Sequence, residues 1–360
     1  MRPFPADLHR TAVAAGFLVA IVSAPAHAQW QLAPVGVNAE FRGLSIVSDR
    51  VAWASGTRGT VVRTVDGGIT WVVDTVSGAS SLDLRSVVGL SADVAVAASI
   101  PNSRDSTPSR IFRTADGGKS WKTVYSADRA GVFLDAMAFW DGSHGIALSD
   151  PVDGRLFLLV TDDAGASWTP LAMGASPPTI GNEGAFAASG TCIAVSGDRD
   201  VWIGTGGAAT ARVFHSSDRG RTWTVASTPV HAGNAASGIF ALAFRDANHG
   251  VAVGGDYTKA HEATTNVALT DDGGRTWRAA GGPLSAAFLS GVSFAGDGII
   301  VATGLAGTHV STDGGNAWRQ MDTLPLNAVR FRGEEFGLAA GPRGRIARFA
   351  GSPAAAVRQP

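Results

Sequence analysis

The chain has 360 residues and a net charge of −1; hydrophobic residues make up 45% of it, charged residues 16%, and cysteine occurs once. A sparse and balanced charge argues against a nucleic-acid polyanion as the main partner, and a single cysteine excludes an internal disulfide. The apolar fraction is ample for a packed core.

The first 28 residues differ in kind from the rest of the chain. Arg2 and Arg10 flank a polar start, residues 11–23 form a short apolar run, and Ala26-His27-Ala28 is a small-x-small cleavage pattern. An uncleaved membrane anchor is disfavoured because the run falls short of the roughly 20 residues that span a bilayer. We therefore predict a secretory signal peptide at residues 1–28 and a mature protein secreted across the inner membrane, into the periplasm.

A short pattern recurs six times after residue 60. It places a hydroxyl residue two positions before Asp, a Gly two positions after the Asp, and a Trp three positions after that Gly. The aspartates are Asp66, Asp116, Asp163, Asp218, Asp272 and Asp313. The tryptophans are Trp71, Trp121, Trp168, Trp223, Trp277 and Trp318.

The pattern predicts a tight turn between two strands. An Asp side chain accepts hydrogen bonds from the backbone N–H groups that follow it, and the Gly takes a positive φ without strain. We call each copy an aspartate corner and expect its Trp to pack between neighbouring repeats. The copies start roughly 40 to 55 residues apart, a spacing typical of four-stranded propeller blades.

The two ends of the mature chain complement each other. Residues 327–331, 337–340 and 345–349 repeat three strands of a blade but have no corner, and residues 30–32 resemble the strand that follows every corner. We therefore predict an all-β, seven-bladed β-propeller of four-stranded antiparallel blades over residues 29–350. The N- and C-terminal strands share the last blade, which removes exposed sheet edges. Residues 351–360 are predicted to form a disordered tail, and the protein to be a monomer.

Connectivity sorts the loops onto two faces. Blade four is predicted over residues 185–225. The corners should share one face, and function usually resides in the loops of the other face of a rigid scaffold. We predict that this second face carries the longer irregular loops, residues 100–109, 150–155, 173–184, 204–211 and 255–266. The first strand of each blade lines the central channel and opens onto that second face. We predict that polar residues there bind a partner or ligand: Arg42, Arg85, Asp135, Asp150, Asp153, Arg155, Glu183 and Asp256. The alternative is that they pair with each other and serve structure only.

Catalysis has weaker support in the sequence. Two pairs of carboxylates share a loop, Asp150 with Asp153 and Asp256 with Glu262, and suggest two-carboxylate glycoside chemistry. The candidate catalytic residues are Asp150, Asp153, Glu262 and Tyr257. The eight histidines lack metal-ligand spacing, and the glycine-rich residues 204–207 precede no predicted helix. We therefore predict no metal and no cofactor. Cys192, inside an apolar run, is predicted to be a buried and inert thiol.

With its corners written as S/T-x-D-x-G-x-S/T-W, the chain resembles the Asp-box, or bacterial neuraminidase repeat, proteins. Residues 51–56 and 59–68 look more specifically like the photosystem II stability and assembly factor group. That resemblance implies an exported seven-bladed propeller that contacts a partner protein through arginines near the channel mouth. Arg42 and Arg85 match those arginines in kind and position, whereas Asp135 departs from the series.

The sequence is compatible with two functions. We predict a non-catalytic scaffold for protein binding, assembly or stability, with a periplasmic or membrane-associated protein as partner, or a glycan or small polar ligand. The alternative is a sialidase-like glycoside hydrolase. Sialidases share the corner but need an arginine triad and a Tyr/Glu pair, and here only Tyr257, in the loop that carries Glu262, is available as that nucleophile.

Overall fold

The computed structural model describes residues 29–104, 106–262, 264–281 and 288–354. The predicted signal peptide, residues 1–28, and the final residues 355–360 of the predicted tail lie outside this range. Apart from one short 3₁₀ helix at Tyr257–Lys259, the assigned elements are strands. In chain order they are β1 (Gln29–Leu32), β2 (Phe41–Ile46), β3 (Ala52–Gly56), β4 (Thr60–Thr64), β5 (Val72–Thr75), β6 (Leu84–Gly89), β7 (Ala95–Ser99), β8 (Arg110–Thr114), β9 (Lys122–Ser126), β10 (Leu134–Phe139), β11 (Gly145–Val152), β12 (Arg155–Thr161), β13 (Thr169–Pro170), β14 (Ile193–Ser196), β15 (Asp200–Gly204), β16 (Arg212–Ser216), β17 (Thr224–Ser227), β18 (Ser237–Phe244), β19 (Gly250–Asp256), β20 (Val267–Thr270), β21 (Arg278–Ala279), β22 (Gly291–Phe294), β23 (Ile300–Gly304), β24 (Gly307–Ser311), β25 (Arg319–Asp322), β26 (Ala328–Arg332), β27 (Phe336–Ala340) and β28 (Ile346–Ala350).

The strands form seven four-stranded antiparallel sheets, which confirms the predicted seven-bladed propeller. Blades one to six take four consecutive strands each, from β2–β5 to β22–β25. Blade seven combines β26, β27 and β28 with β1. β1 is its outermost strand and pairs with β28, so that Trp30 lies opposite Phe349. The first and last described strands therefore meet in one sheet, which confirms the prediction that they share the last blade.

Side chains reinforce this closure on both sides of blade seven. The indole of Trp30 donates to Thr308 Oγ1 of blade six at 2.9 Å, and the amide of Asn327 donates to the Phe41 carbonyl of blade one at 2.9 Å. Trp30 also packs edge-on against Phe349, with ring centroids 5.0 Å apart. Blade seven is thereby joined to both of its neighbours.

The aspartate corners connect the third and fourth strands of blades one to six. In the first corner Thr64 Oγ1 donates to Asp66 and accepts from Gly68 N–H at 2.9 Å, while Asp66 accepts from both the N–H and the hydroxyl of Thr70. The corner also donates from Gly67 N–H to the carbonyl of Arg50, in the turn after the first strand. The five other corners make the same contact with the turn after their own first strand. All six therefore lie on one face, which we call the corner face.

The corner tryptophans pack against the preceding blade, as expected. Trp121 of blade two meets Trp53 of blade one edge-on at 6.2 Å. Trp277 of blade five joins the apolar cluster around Trp202 of blade four. The core is therefore divided into seams between blades, and large aromatic rings fill these seams. Cys192 is fully buried in one of them, as predicted.

Two segments depart from the expected strand pattern. Residues 150–155, predicted as an irregular loop, belong to the hairpin of β11 and β12, and only Asp153 and Gly154 form the turn. Both have positive φ, 52° and 73°, as a two-residue hairpin turn requires. Blade four was expected to begin at residue 185, but its inner strand begins at Ile193. Residues 185–192 therefore form no strand. The segment stays attached to blade four at its two ends, where Gly184 pairs with Gly206 and the Cys192 carbonyl accepts from Gly204 N–H.

The described chain continues for four residues after β28. Residues 351–354, the first part of the predicted tail, follow β28, and Ala354 packs against the cluster that contains Trp30 and Phe349. No helix among the described residues is long and apolar enough to cross a membrane.

Candidate functional site

The face opposite the corners carries the mouth of the central channel. In four blades the inner strand is interrupted by a register shift at the same place, and the extra residue is Arg42, Arg85, Asp135 or Phe240. Bulges of this kind re-aim one side chain out of the regular pleat. All four residues line one cavity of about 480 Å³. We call this cavity the channel mouth.

The two arginines hold main-chain carbonyls of the segment that precedes blade four. Arg42 Nη1 donates to the Ala188 carbonyl and Arg85 Nη1 donates to the Ala187 carbonyl, both at 3.2 Å. Each also pairs with a carboxylate two positions earlier, Glu40 for Arg42 and Asp83 for Arg85. Burial and the neighbouring Arg85 charge lower the pKa of Arg42. The Nε–H group of each guanidinium is buried and has no partner among the described residues.

Residues 183–192 bring these carbonyls close to blades one and two. Gly190 sits so close to the inner strand of blade two that an added Cβ would lie 3.0 Å from Ser86 Oγ. Its φ of +67° also favours glycine. Thr191 accepts from the Leu242 N–H of blade five at 2.8 Å. The segment thus crosses the channel from blade four and contacts blades one, two and five. We call residues 183–192 the plug.

Asp135 is the most unusual polar group of the mouth. It is fully buried, and neither carboxylate oxygen has a hydrogen-bond partner among the described residues. Burial, together with the nearby Asp150 charge, raises the pKa of Asp135 well above its usual range. Asp150 is half-buried, accepts from the Ala185 N–H at 3.0 Å, and has a pKa that burial also raises. The buried, unpartnered carboxyl group of Asp135 therefore keeps its proton to a higher pH than an exposed aspartate does, and in its protonated form it can donate a hydrogen bond.

Aromatic rings form the opposite wall of the mouth. Phe186 and Phe240 stack at 3.9 Å, and Phe288 meets Phe240 edge-on at 4.7 Å. Tyr257 approaches both Phe240 and Phe288 and is half-exposed. The mouth thus combines two cations and two carboxyl groups with an apolar shelf, a mixture typical of sites for peptides and small organic ligands.

Two predicted site residues are fully engaged in local structure. Glu183 is buried and binds Arg212 through both carboxylate oxygens, with a further bond from Thr205 Oγ1 at 2.7 Å. Asp256 begins the 3₁₀ helix and accepts from Thr258 and Asn234. Burial acts to raise the pKa of Asp256, but these hydrogen bonds hold it below its usual value. Neither residue is among the groups that line the mouth.

Three more predicted residues lie outside the cavity. Asp153, at the tip of its hairpin, is exposed and pairs with Arg129 at 2.9 Å. Glu262 is exposed and pairs with Lys259 at 3.1 Å. Arg155 donates to the Ser176 carbonyl. Of the sequence candidates, the structure therefore brings together Arg42, Arg85, Asp135, Asp150 and Tyr257. Within the described residues, no three His, Cys, Asp or Glu side chains come together as a metal site.

The sequence did not predict the plug, or the apolar shelf formed by Phe186, Phe240 and Phe288. Phe240 occupies the position that is Arg42 or Arg85 in other blades, and this equivalence was the available clue. Phe186 and Phe288 lie before the inner strands of blades four and six, where no periodic pattern marks them. Their role depends on contacts across the channel.

Comparison with known proteins bears on the fold. No family model matches the sequence, and no curated protein does. A structure of YCF48 bound to a D1 peptide is similar over 90% of this chain and 97% of its own, with a TM-score of 0.62 and 16% identity. YCF48 from Cyanidioschyzon merolae gives a TM-score of 0.64 at 18% identity, covering 89% of this chain and 98% of that one. The WD40 propeller domain of Doa1 gives 0.57 at 15% identity, covering 91% and 99%. At these identities the likeness shows a shared propeller fold.

Proposed function

We propose that this protein is an exported, non-catalytic propeller that binds a segment of another protein at the channel mouth and acts as an assembly or stability scaffold. The proposal includes distant membership of the Asp-box propellers related to photosystem II assembly factors. It also includes removal of residues 1–28 and a periplasmic location. The partner is a periplasmic or membrane-associated protein that presents an extended peptide.

One observation carries the proposal. The mouth is a cavity of about 480 Å³ in which Arg42 and Arg85 already hold main-chain carbonyls, beside a half-exposed aromatic ring, Tyr257. Guanidinium groups that bind carbonyl oxygens of their own chain have the geometry to bind those of a second chain, or a carboxylate. Aromatic and arginine side chains are also the residues that contribute most to protein interfaces.

Two further facts support it. The similar structure of YCF48 is bound to a D1 peptide, which is a peptide occupant on the same fold. The sequence resemblance independently implies arginines near the channel mouth, and Arg42 and Arg85 lie there. Both carboxylates nearest to the arginines, Glu40 and Asp83, balance their charge. We therefore expect hydrogen bonding and shape to contribute more to affinity than long-range attraction.

The test begins with site-specific photo-crosslinking in the cells that make the protein. A photoreactive residue at Tyr257 is compared with one at Arg275, which is exposed in a corner on the opposite face. Peptides from a protein crosslinked only at the mouth are then synthesised, and their affinity is measured by fluorescence anisotropy.

The matched variants carry equal charge changes on the two faces. Arg42→Glu with Arg85→Glu should weaken peptide binding by about a hundredfold or more, as expected for two lost charge-assisted contacts. Arg221→Glu with Arg275→Glu, in exposed corners, should leave binding within about twofold. Equal crosslinking from both faces, or equal binding by both double variants, would overturn the proposal.

A glycoside hydrolase acting at the same mouth is the second candidate. The observation in its favour is that Asp135 and Asp150 both line the cavity and both have raised pKa values, the property of a general acid. The other candidates, Asp153 and Glu262, are exposed and ion-paired. Turnover of aryl glycosides or sialosides that is abolished by Asp150→Asn and kept by Asp153→Asn would favour this function over the scaffold.

A further inference from the structure

The corner-face end of the channel carries an unusual residue at one of seven equivalent positions. One residue near the end of each inner strand faces the same cavity of about 400 Å³. In blades one to six these residues are small, namely Ser45, Val88, Ala138, Ala194, Ala243 and Ser293. In blade seven the residue is Arg330. The small side chains leave the space into which the one long cationic side chain extends.

Arg330 has no acidic partner in the described part of the chain. Its single hydrogen bond there is from Nε to the Leu44 carbonyl, and at 3.4 Å it is long. No Asp or Glu lines the cavity within the described residues. The neighbouring cation, Arg332, is exposed and paired with Asp49 at 3.2 Å. Arg330 is therefore a cation whose charge the surrounding side chains do not balance.

The hydroxyl groups of the cavity do not satisfy the guanidinium either. Ser45 Oγ accepts from Gly89 N–H at 3.1 Å. Ser293 Oγ accepts from Phe331 N–H at 3.0 Å and donates to the Phe294 carbonyl. Each of these two hydroxyl oxygens therefore already accepts from a backbone N–H of the next blade. The two Nη groups of Arg330, which make no hydrogen bond among the described residues, remain available for a ligand.

Physical chemistry indicates what would occupy this space. Burial lowers the pKa of Arg330 to about 10, so the side chain is still charged at neutral pH, but in an environment that disfavours charge. The Arg330 side chain is only partly exposed, and a partly desolvated charge is stabilised by an opposite charge with good hydrogen bonds. A guanidinium offers two parallel N–H donors that match the oxygens of carboxylate or phosphate. The cavity has room for such an anion together with water.

We propose that the corner-face end of the channel is a binding site for a free small oxyanion, carboxylate or phosphate, held by the Nη groups of Arg330. The anion balances a charge at the centre of the ring, and the guanidinium that holds it also contacts blade one through the Leu44 carbonyl. This site lies at the other end of the channel from the mouth and does not depend on the function proposed there.

The test is thermal unfolding of the full mature protein by calorimetry at constant ionic strength. Sodium phosphate and sodium acetate are each titrated against sodium chloride. The wild type should show a saturable rise in Tm with an oxyanion relative to chloride, because a ligand of the folded state stabilises it. The two salts distinguish a tetrahedral from a planar oxyanion as the preferred ligand.

Variants assign any shift to the site. Arg330→Gln should lose the oxyanion-dependent rise, and Arg330→Lys should retain it with affinity about tenfold weaker, since lysine lacks the bidentate fork. Arg348→Gln, an exposed arginine of the same blade, and Arg42→Gln, at the mouth, should both keep it. In chloride alone, Arg330→Gln should have a Tm equal to or above that of the wild type, because an unbalanced charge has been removed.

Several outcomes would contradict the site. A rise in Tm that survives in Arg330→Gln places the anion elsewhere, and a wild type that responds equally to chloride, phosphate and acetate has no oxyanion site. Loss of the rise in Arg42→Gln would assign the anion to the mouth. Isothermal titration of each variant with phosphate gives an independent affinity and separates a lost site from a change in stability.

Discussion

The indole of Trp30 donates a hydrogen bond to Thr308 Oγ1 at 2.9 Å, although 278 residues separate the two along the chain. Trp30 lies in the outer strand of blade seven and Thr308 in the third strand of blade six. The contact therefore joins the first strand of the described chain to a blade that forms near its end. It makes the closure of the ring testable.

Trp30→Ala should lower the free energy of unfolding by about 3–5 kcal/mol, because a buried indole that packs on Phe349 and Phe331 is removed. Thr308→Val should lower it by about 1–3 kcal/mol, since the indole N–H loses its acceptor. Leu32→Ala, an exposed position of the same strand, is the control and should change it by less than about 0.5 kcal/mol. Urea unfolding followed by circular dichroism measures all three. A Trp30→Ala effect as small as that of Leu32→Ala would mean that this strand does not close the ring.

The aspartate corners should make stability fall in acid. Hydrogen bonds from the hydroxyls of Thr70, Ser120 and Thr276 hold the pKa values of Asp66, Asp116 and Asp272 at about 2, against an ordinary value of 3.8. The pKa of each of these carboxylates is therefore lower in the folded than in the unfolded protein. The stability that each carboxylate contributes is fully present above about pH 4 and is lost as pH falls from about 4 to about 2.

The measurement for the corners is the urea midpoint between pH 2 and pH 6. Asp272→Asn should flatten the acid limb of the curve relative to the wild type. Asp271→Asn, at the adjacent exposed carboxylate, is the matched control and should leave the limb unchanged. Identical acid limbs for Asp272→Asn and the wild type would show that this carboxylate is not stabilised by its corner.

Asp135 should make stability fall as pH rises, opposite to the aspartates of the corners. Burial, followed by the Asp150 charge, raises its folded-state pKa well above 3.8. Between the unfolded value and the raised value only the unfolded chain ionises, so stability is lost as pH rises through this window. Asp135→Asn should therefore raise the urea midpoint at pH 8 more than at pH 4, whereas Asp153→Asn, at an exposed carboxylate, should change neither. A lower midpoint for Asp135→Asn at pH 8 would show that Asp135 is ionised and engaged by a cation.

His309 is a second buried titratable group, in the third strand of blade six. It is 1% exposed, and neither ring nitrogen has a partner among the described residues. Burial lowers the pKa of His309 to about 4. The residues that occupy the same register in the other blades are apolar: Val62, Phe112, Leu159, Phe214, Ala268 and Ala347.

The wild type should lose stability as pH falls from about 6.5 toward 4, and His309→Val should not show this loss. In that window the unfolded chain binds a proton that the folded chain excludes. The urea midpoint at pH 5 and pH 8 measures the effect, and His261→Val, at an exposed histidine, is the control. If His309→Val loses stability at pH 8 by more than about 2 kcal/mol, the imidazole makes a contact that valine cannot replace.

Cys192 should resist alkylation in the folded protein. It is fully buried, and burial, with the Asp135 charge next, raises the pKa of its thiol well above the usual value. A thiol reagent at pH 8 should modify it only as fast as the chain unfolds, and fully in urea. Rapid modification without denaturant would indicate that the plug at residues 183–192 opens readily.

The ring was predictable because its information is local and repeated. Each corner contains its own hydroxyl, Asp, Gly and Trp, and these residues make the turn with one another. Strands follow from the apolar residues between corners, and the absence of a seventh corner indicated the shared blade. Residues 150–155 were predicted as a loop, but they form a hairpin. The register shifts between Ser149 and Pro151, and a sheet accepts proline beside such a bulge.

The candidate site was only partly predictable because it depends on contacts between distant blades. Arg42 and Arg85 were identified from their place at the start of inner strands. The carbonyls that they hold come from residues 146 and 102 positions further along the chain, which no local pattern specifies. Glu183 was predicted as a ligand-binding residue, and its bidentate pairing with Arg212 became visible only in three dimensions.

The shared blade sets the order in which the molecule is completed during synthesis. The ribosome makes β1 first and β28 last, and these two strands pair residue for residue from Gln29 to Leu32. Until the final strands emerge, an elongating chain carries an unmatched outer strand at one end and an incomplete sheet at the other. A chain that stops a few dozen residues early therefore lacks the strands that pair with β1 as well as the last blade. Quality-control proteases would meet an open ring with two unpaired sheet edges.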